Sequence, residues 1–182
     1  MKRLIPFILA VALVLSAVCT AAAEGVTFTT EYFTLQLPDN WVVETEDLES
    51  SEEEECLGFF AEDVSVGLVG GAYLVFYEDL KEVSLWSLSE EELQAYAESV
   101  LDDYADCNPE LVGIVMAGRI PLVLIKGADE TGDFLYADTM TNGYAIEFNF
   151  FVIDDESGDF LPIGEEEIEQ VKTILATFQP AA

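Results

Sequence analysis

Hydrophobic and polar positions alternate most legibly between residues 134 and 153. The runs 134–140 and 144–153 are rich in aromatic and β-branched side chains, and Asn142-Gly143 stands between them. Both turn residues accept the positive φ of a type I′ turn, so the pattern predicts a two-residue β-hairpin. Such a turn sets the register. Thr141 faces Tyr144, Thr139 faces Ile146, Ala137 faces Phe148 and Leu135 faces Phe150. The opposite face pairs Met140 with Ala145, Asp138 with Glu147, Tyr136 with Asn149, and Phe134 with Phe151. Both faces are apolar at the Phe134/Phe151 end, which implies cover on both sides.

Shorter alternating runs flank this hairpin. Residues 26–29 and 33–37 predict a strand pair around 30–32, Pro38-Asp39-Asn40 a turn, and 41–43 a return to extended structure. Residues 44–55 are acidic and nearly devoid of apolar side chains, the pattern of a solvated loop. Residues 57–61 and 72–78 read as strands with a further strand at 64–69, and Gly70-Gly71 predicts a turn or bulge. Residues 111–116 and 120–126 add two strands, joined near Gly118-Arg119. A six-residue turn over 127–132 would then pair Lys126 with Asp133, Leu124 with Leu135, Leu122 with Ala137, Val123 with Tyr136 and Ile125 with Phe134.

Two segments carry helical spacing instead. Ser89-Glu90-Glu91-Glu92 is a capping box, with the serine hydroxyl and the Glu92 carboxylate each satisfying a free backbone N–H. Leu93, Tyr96, Ala97, Val100, Leu101 and Tyr104 then form one apolar stripe over 90–105. Ile168, Val171, Ile174, Leu175 and Phe178 form another over 165–178. With no repeat and no linker, the expected object is one α+β domain over 24–182. Its meander and N-terminal strands would form one antiparallel β-sheet with helices packed on both faces.

Phe33-x-Leu35-x-Leu37-Pro38-x-x-Trp41 resembles the opening of PsbP-like domains, which read aromatic-x-aliphatic-x-aliphatic-Pro-x-x-Trp. The order of elements over residues 26–178 is similar, closing on Ile174-Leu175-Ala176-Thr177-Phe178. The resemblance implies an α/β/α sandwich and a secreted accessory domain without catalysis. The photosynthetic members support a manganese–calcium cluster through histidines and lysines that this chain lacks, so that role is not implied.

Lys2-Arg3, an apolar run over 4–18 and Thr20-Ala21-Ala22-Ala23 together read as a secretory signal peptide cleaved after Ala23. A lipid anchor on Cys19 is the alternative, disfavoured by Val18 where a small residue is expected. Losing Lys2 and Arg3 takes the formal charge from −31 to −33, with 37 acidic residues in the chain. Nucleic acid is excluded as a partner, since phosphate binding needs many basic groups. A protein or other cationic partner is favoured, and no membrane span remains after cleavage. The chain has no histidine, which removes the commonest general base and zinc ligand. Cys56 and Cys107 would remain as a candidate disulfide in an oxidising compartment.

Three groups of side chains are candidates for chemistry. Asp154, Glu156 and Asp159 gather oxygen donors in one loop, the ligand type of Ca²⁺ or Mg²⁺, although the loop fails the EF-hand register. Asp138 opposite Glu147 sets like charges across a strand pair, which should raise one pKa, and a shared proton, a bound cation or Arg119 would resolve the repulsion. Arg119, reaching diagonally from the neighbouring strand, is the expected partner. Phe59, Phe60, Tyr73, Phe76 and Tyr77 are expected in the core. The expected function is a non-catalytic, secreted binding or accessory domain. A divalent-cation-binding protein is the alternative, and a carboxylate-dependent hydrolase a remote one.

Overall fold

The computed structural model describes residues 25–43, 67–154 and 156–181, and the backbone of 54–61. The expected leader and most of the expected acidic loop lie outside the described residues. In chain order the elements are β1 (Val26–Thr29), β2 (Phe33–Leu37), β3 (Trp41–Val42), β4 (Glu54–Ala61), β5 (Leu68–Phe76), α1 (Glu90–Asp103), β6 (Glu110–Ala117), β7 (Ile120–Ala128), β8 (Asp133–Thr141), β9 (Tyr144–Ile153), β10 (Phe160–Leu161), α2 (Glu165–Leu175) and β11 (Gln179–Pro180). Short 3-10 turns fill Glu78–Leu80, Leu85–Ser87 and Ala105–Cys107.

The architecture is α+β. A large antiparallel sheet runs in the order β3-β4-β5-β9-β8-β7-β6, with β10 on β9, and a separate three-stranded sheet runs β1-β2-β11. The N-terminal strands therefore do not extend the main sheet as expected. They pair with each other and with the C-terminal strand, Gln179 opposite Thr34.

The central hairpin has the predicted register, from Leu135 opposite Phe150 to Thr141 opposite Tyr144. Asn142 and Gly143 take φ of 51° and 84°, as a type I′ turn requires. A Cβ on Gly143 would lie 2.6 Å from the Lys81 Cα. Glycine thus serves both the turn and the close approach of the connector over 77–84.

The β7–β8 register is displaced by two residues from the expected one. Lys126 faces Leu135 and Ala128 faces Asp133. The cause lies in the turn. The Asp129 carboxylate accepts from the backbone N–H of Thr131 and Gly132 at 2.7 and 3.2 Å, closing a tighter loop that lets β7 run on through Gly127-Ala128. A two-residue displacement preserves which face each side chain occupies. Nor does Gly70-Gly71 break the chain: β5 passes straight through both, pairing Gly70 with Phe150 and Gly71 with Asn149.

Alternation along β7 and β8 sorts the core. Leu122, Leu124, Leu135 and Ala137 join Phe148 and Phe150 in a cluster that also takes Val171, Ile174 and Leu175 from α2. Val123, Ile125, Phe134 and Tyr136 join a second cluster with Ala97 and Val100 from α1. The small sheet adds Phe28, Phe33, Leu35 and Leu37 to the first cluster. Phe33, Phe148 and Phe178 lock there, with ring centroids 5.3–5.8 Å apart. Fully burying each such ring contributes about 1.5–3 kcal/mol. The expected capping box starts α1: Ser89 Oγ accepts from Glu92 N at 3.3 Å, and Ser89 N donates to Glu92 Oε2 at 2.8 Å.

Candidate functional site

Asp138 sits mid-strand on β8, opposite Glu147 on β9, which in turn faces Tyr73 on β5. Asp138 is 6% exposed and lies on the face toward α1. Two phenols reach it. Tyr96, one helical step from the buried Ala97, donates to Asp138 Oδ1, and Tyr136, two residues earlier on the same strand face, donates to Oδ2 at 3.2 Å. The Tyr104 ring packs at a tilt, its centroid 4.6 Å from Tyr136 and 5.7 Å from Phe134, closing the cluster on the helix side.

Burial pushes the Asp138 carboxyl up to about 6, the nearby Glu147 charge adds to this, and the two phenolic hydrogen bonds oppose it. Burial, then the Asp138 charge, also raises both phenols well above their ordinary range. Tyr104 is pushed up to about 12, again chiefly by burial. All three phenols remain protonated at neutral pH, and Tyr96 and Tyr136 donate. Low-dielectric burial outweighs the neighbouring charge as the cause of the raised Asp138 carboxyl.

Arg119 is not the partner it was expected to be. Its guanidinium carbon lies 4.7 Å from the centroid of the Trp86 ring, a cation–π contact at the β6–β7 turn. The Tyr96 and Tyr136 hydroxyls supply the Asp138 hydrogen bonds instead. Both tyrosines had the signal to be found. One shares the Asp138 strand face at spacing two, and the other lies on the apolar stripe of a helix that had to pack somewhere.

The 154–159 loop closes on itself. Asp154 Oδ1 accepts from Glu156 N, Ser157 N and Ser157 Oγ at 3.1, 2.7 and 2.9 Å. The Asp154 backbone N–H donates to Asp159 O at 2.9 Å. Backbone donation holds the Asp154 carboxyl below its usual range. Glu156 and Asp159 are exposed. Among the described residues no three carboxylate, cysteine or histidine groups gather as a metal site.

Cys107 is a free, half-buried thiol, so the expected bridge to Cys56 is not formed. It packs with the α1 cluster against β7 and β8. The Cys56 side chain lies outside the described residues, but its backbone is on β4, three strands from β8. Phe76 and Tyr77, expected in the core, are 42% and 46% exposed, at the last residue of β5 and just beyond it. Phe59 and Phe60 have side chains outside the described residues.

The basic side chains beyond residue 24 are all engaged. Lys81 pairs with Glu78, Lys126 with Asp133 and Lys172 with Glu169, at 2.8–2.9 Å, and Arg119 lies on Trp86. Lys126 also donates to Ile163 O at 2.7 Å, while Ile163 N donates to Asp133, pinning the approach to α2. No helix among the described residues is long and apolar enough to cross a membrane.

No family model and no curated protein matches the chain. A crystal structure of a protein from Bacteroides thetaiotaomicron is similar, with 14% identity and a TM-score of 0.46, over 87% of this chain and 49% of that one. The chain thus spans about half the length of that protein.

Proposed function

We propose that this chain is a non-catalytic, extracytoplasmic binding or accessory domain, PsbP-like in architecture, that engages a cationic partner. In this reading the large sheet is the middle layer of an α/β/α sandwich. The alternation of Leu122 and Leu124 toward α2 residues, and of Val123 and Ile125 toward α1 residues, supports that layering.

The observation that carries the binding reading is the balance of charge. Among the described residues the lysines are spent on local ion pairs and Arg119 on Trp86, against 37 acidic residues in the chain. Such a surface attracts and orients cationic groups over a Debye length. The hydrolase reading is weaker, because Asp138 is closed off by two phenols rather than offered to a substrate. The divalent-cation reading is weaker as well, because Asp154 is committed to its own loop.

A labelled lysine-rich decapeptide tests the proposal. Fluorescence anisotropy at about 50 mM NaCl should show saturable binding that weakens at least about tenfold at about 300 mM. No binding at the lower salt would reduce the acidity to a solubilising property.

A further inference from the structure

At the hairpin end of the large sheet, the turn between β1 and β2 and the C-terminal strand close over a cavity of about 310 Å³. Its lining includes Glu31, Tyr32, Thr141, Tyr144, Ile146 and Pro180. The Tyr32 and Tyr144 rings lie 5.2 Å apart, and Phe76 stands 4.8 Å behind Tyr144, so aromatic faces and edges crowd one side. Glu31 is exposed at the rim. Thr141 is only 2% exposed, yet its Oγ1 makes no hydrogen bond. The neighbouring Thr139, on the same strand face, does find one: it donates to Pro121 O at 2.8 Å.

Buried hydroxyls are rarely left without a partner, and each such group calls for an explanation. Aromatic rings beside a carboxylate attract an organic cation, and quaternary ammonium groups above all. A volume near the lower bound of ligand pockets fits a small molecule. We infer that this cavity binds a small ammonium alcohol, with the cation against Tyr32, Tyr144 and Glu31 and the alcohol oxygen completing the hydrogen bonding of Thr141. The inference deepens the cation-binding reading above and rests on it for the sign of the ligand charge.

Calorimetric titration of the purified protein with choline, tetramethylammonium and 3,3-dimethylbutan-1-ol, the neutral isostere of choline, tests it. Choline should bind at least about tenfold tighter than the neutral isostere. Glu31→Gln, an exposed change that leaves folding alone, should weaken choline and tetramethylammonium alike by about threefold. Tyr144→Leu, checked for an unchanged melting profile, should cost choline at least about tenfold. Thr141→Val should weaken choline by about threefold while leaving tetramethylammonium unchanged, since only choline carries the hydroxyl.

Equal binding of choline and its neutral isostere would overturn the inference. So would indifference of choline to both Glu31→Gln and Tyr144→Leu. Phosphatidylcholine vesicles should not bind, because their phosphates meet an acidic surface. Vesicle binding without binding of free choline would move the ligand to a lipid headgroup and overturn the assignment. The lysine-rich peptide, titrated in the same preparation, separates the two levels. Peptide binding without choline binding removes only the cavity assignment, and choline binding without peptide binding removes only the surface reading.

Discussion

Asp138 and Thr141 stand three residues apart on β8, project to opposite faces, and are both nearly inaccessible to solvent. Their treatment differs completely. Asp138 receives a phenol on each oxygen from Tyr96 and Tyr136, whereas Thr141 Oγ1 receives nothing. The difference follows from what covers each spot. α1 lays an aromatic stripe beside Asp138, so its cost of burial is partly offset within the fold. Over Thr141 the cover is a strand turn and the last described residues, which leave a cavity rather than a partner. A polar group with its donors in place belongs to the architecture. One without them points outward, to a ligand.

The sharpest way to break this contrast is to remove both phenolic hydroxyls. Tyr96→Phe combined with Tyr136→Phe strands a buried carboxylate and should cost about 3–5 kcal/mol in urea unfolding at pH 7. The cost should shrink near pH 5, where the carboxyl is largely protonated.

Acidity provides the next test. The folded Asp138 pKa, about 6, lies above the ordinary carboxylate value. Between about pH 4 and pH 6 the folded state therefore binds the extra proton, and stability falls as pH rises through that window. About two pH units at 1.4 kcal/mol each amount to about 3 kcal/mol. Asp138→Asn should remove this component, so the wild-type-minus-variant difference in unfolding free energy should drop by that amount from pH 4 to pH 7. A flat difference would mean that Asp138 is solvated or ion-paired.

Smaller effects sharpen the picture. Lys126→Met breaks a partly buried pair with Asp133 and a hydrogen bond to Ile163, and should lower stability by about 1 kcal/mol. Thr141→Val, by contrast, removes an unsatisfied hydroxyl at constant shape. It should leave stability unchanged or raise it by up to about 1 kcal/mol. A loss above 1 kcal/mol would show that the hydroxyl is bonded after all. Millimolar Ca²⁺ should move the melting temperature no further than NaCl of equal ionic strength, because Asp154 already holds its loop.

Much of the fold was legible where local chemistry leaves no choice. Asn142-Gly143 dictated the central register residue by residue, and Ser89 with Glu92 placed the start of α1. Legibility failed where a side chain acts on a backbone not adjacent in pattern. The Asp129 turn drew β7 two residues further, and Gly70-Gly71 continued a strand because neighbouring strands pair with it on both sides. The Asp138–Glu147 row was visible from the hairpin alone, but its partners were misassigned. Charge balance pointed to Arg119, while the stripe holding Tyr96 read as plain core. The Thr141 cavity had no sequence signal, since its walls come from residues near 31, 141–146 and 180. The Cys56–Cys107 expectation failed for a related reason: oxidising context says nothing of strand order.

The most direct measurement is an NMR titration of the Asp138 side-chain carboxyl carbon in the folded protein, followed through neighbouring resonances and assigned with Asp138→Asn. A closed, phenol-held carboxyl predicts a midpoint near 6 that moves higher still in Tyr96→Phe, since that hydrogen bond favours the charged form. A midpoint at or below about 4, indifferent to Tyr96→Phe, would describe an open or cation-paired carboxylate and contradict the account.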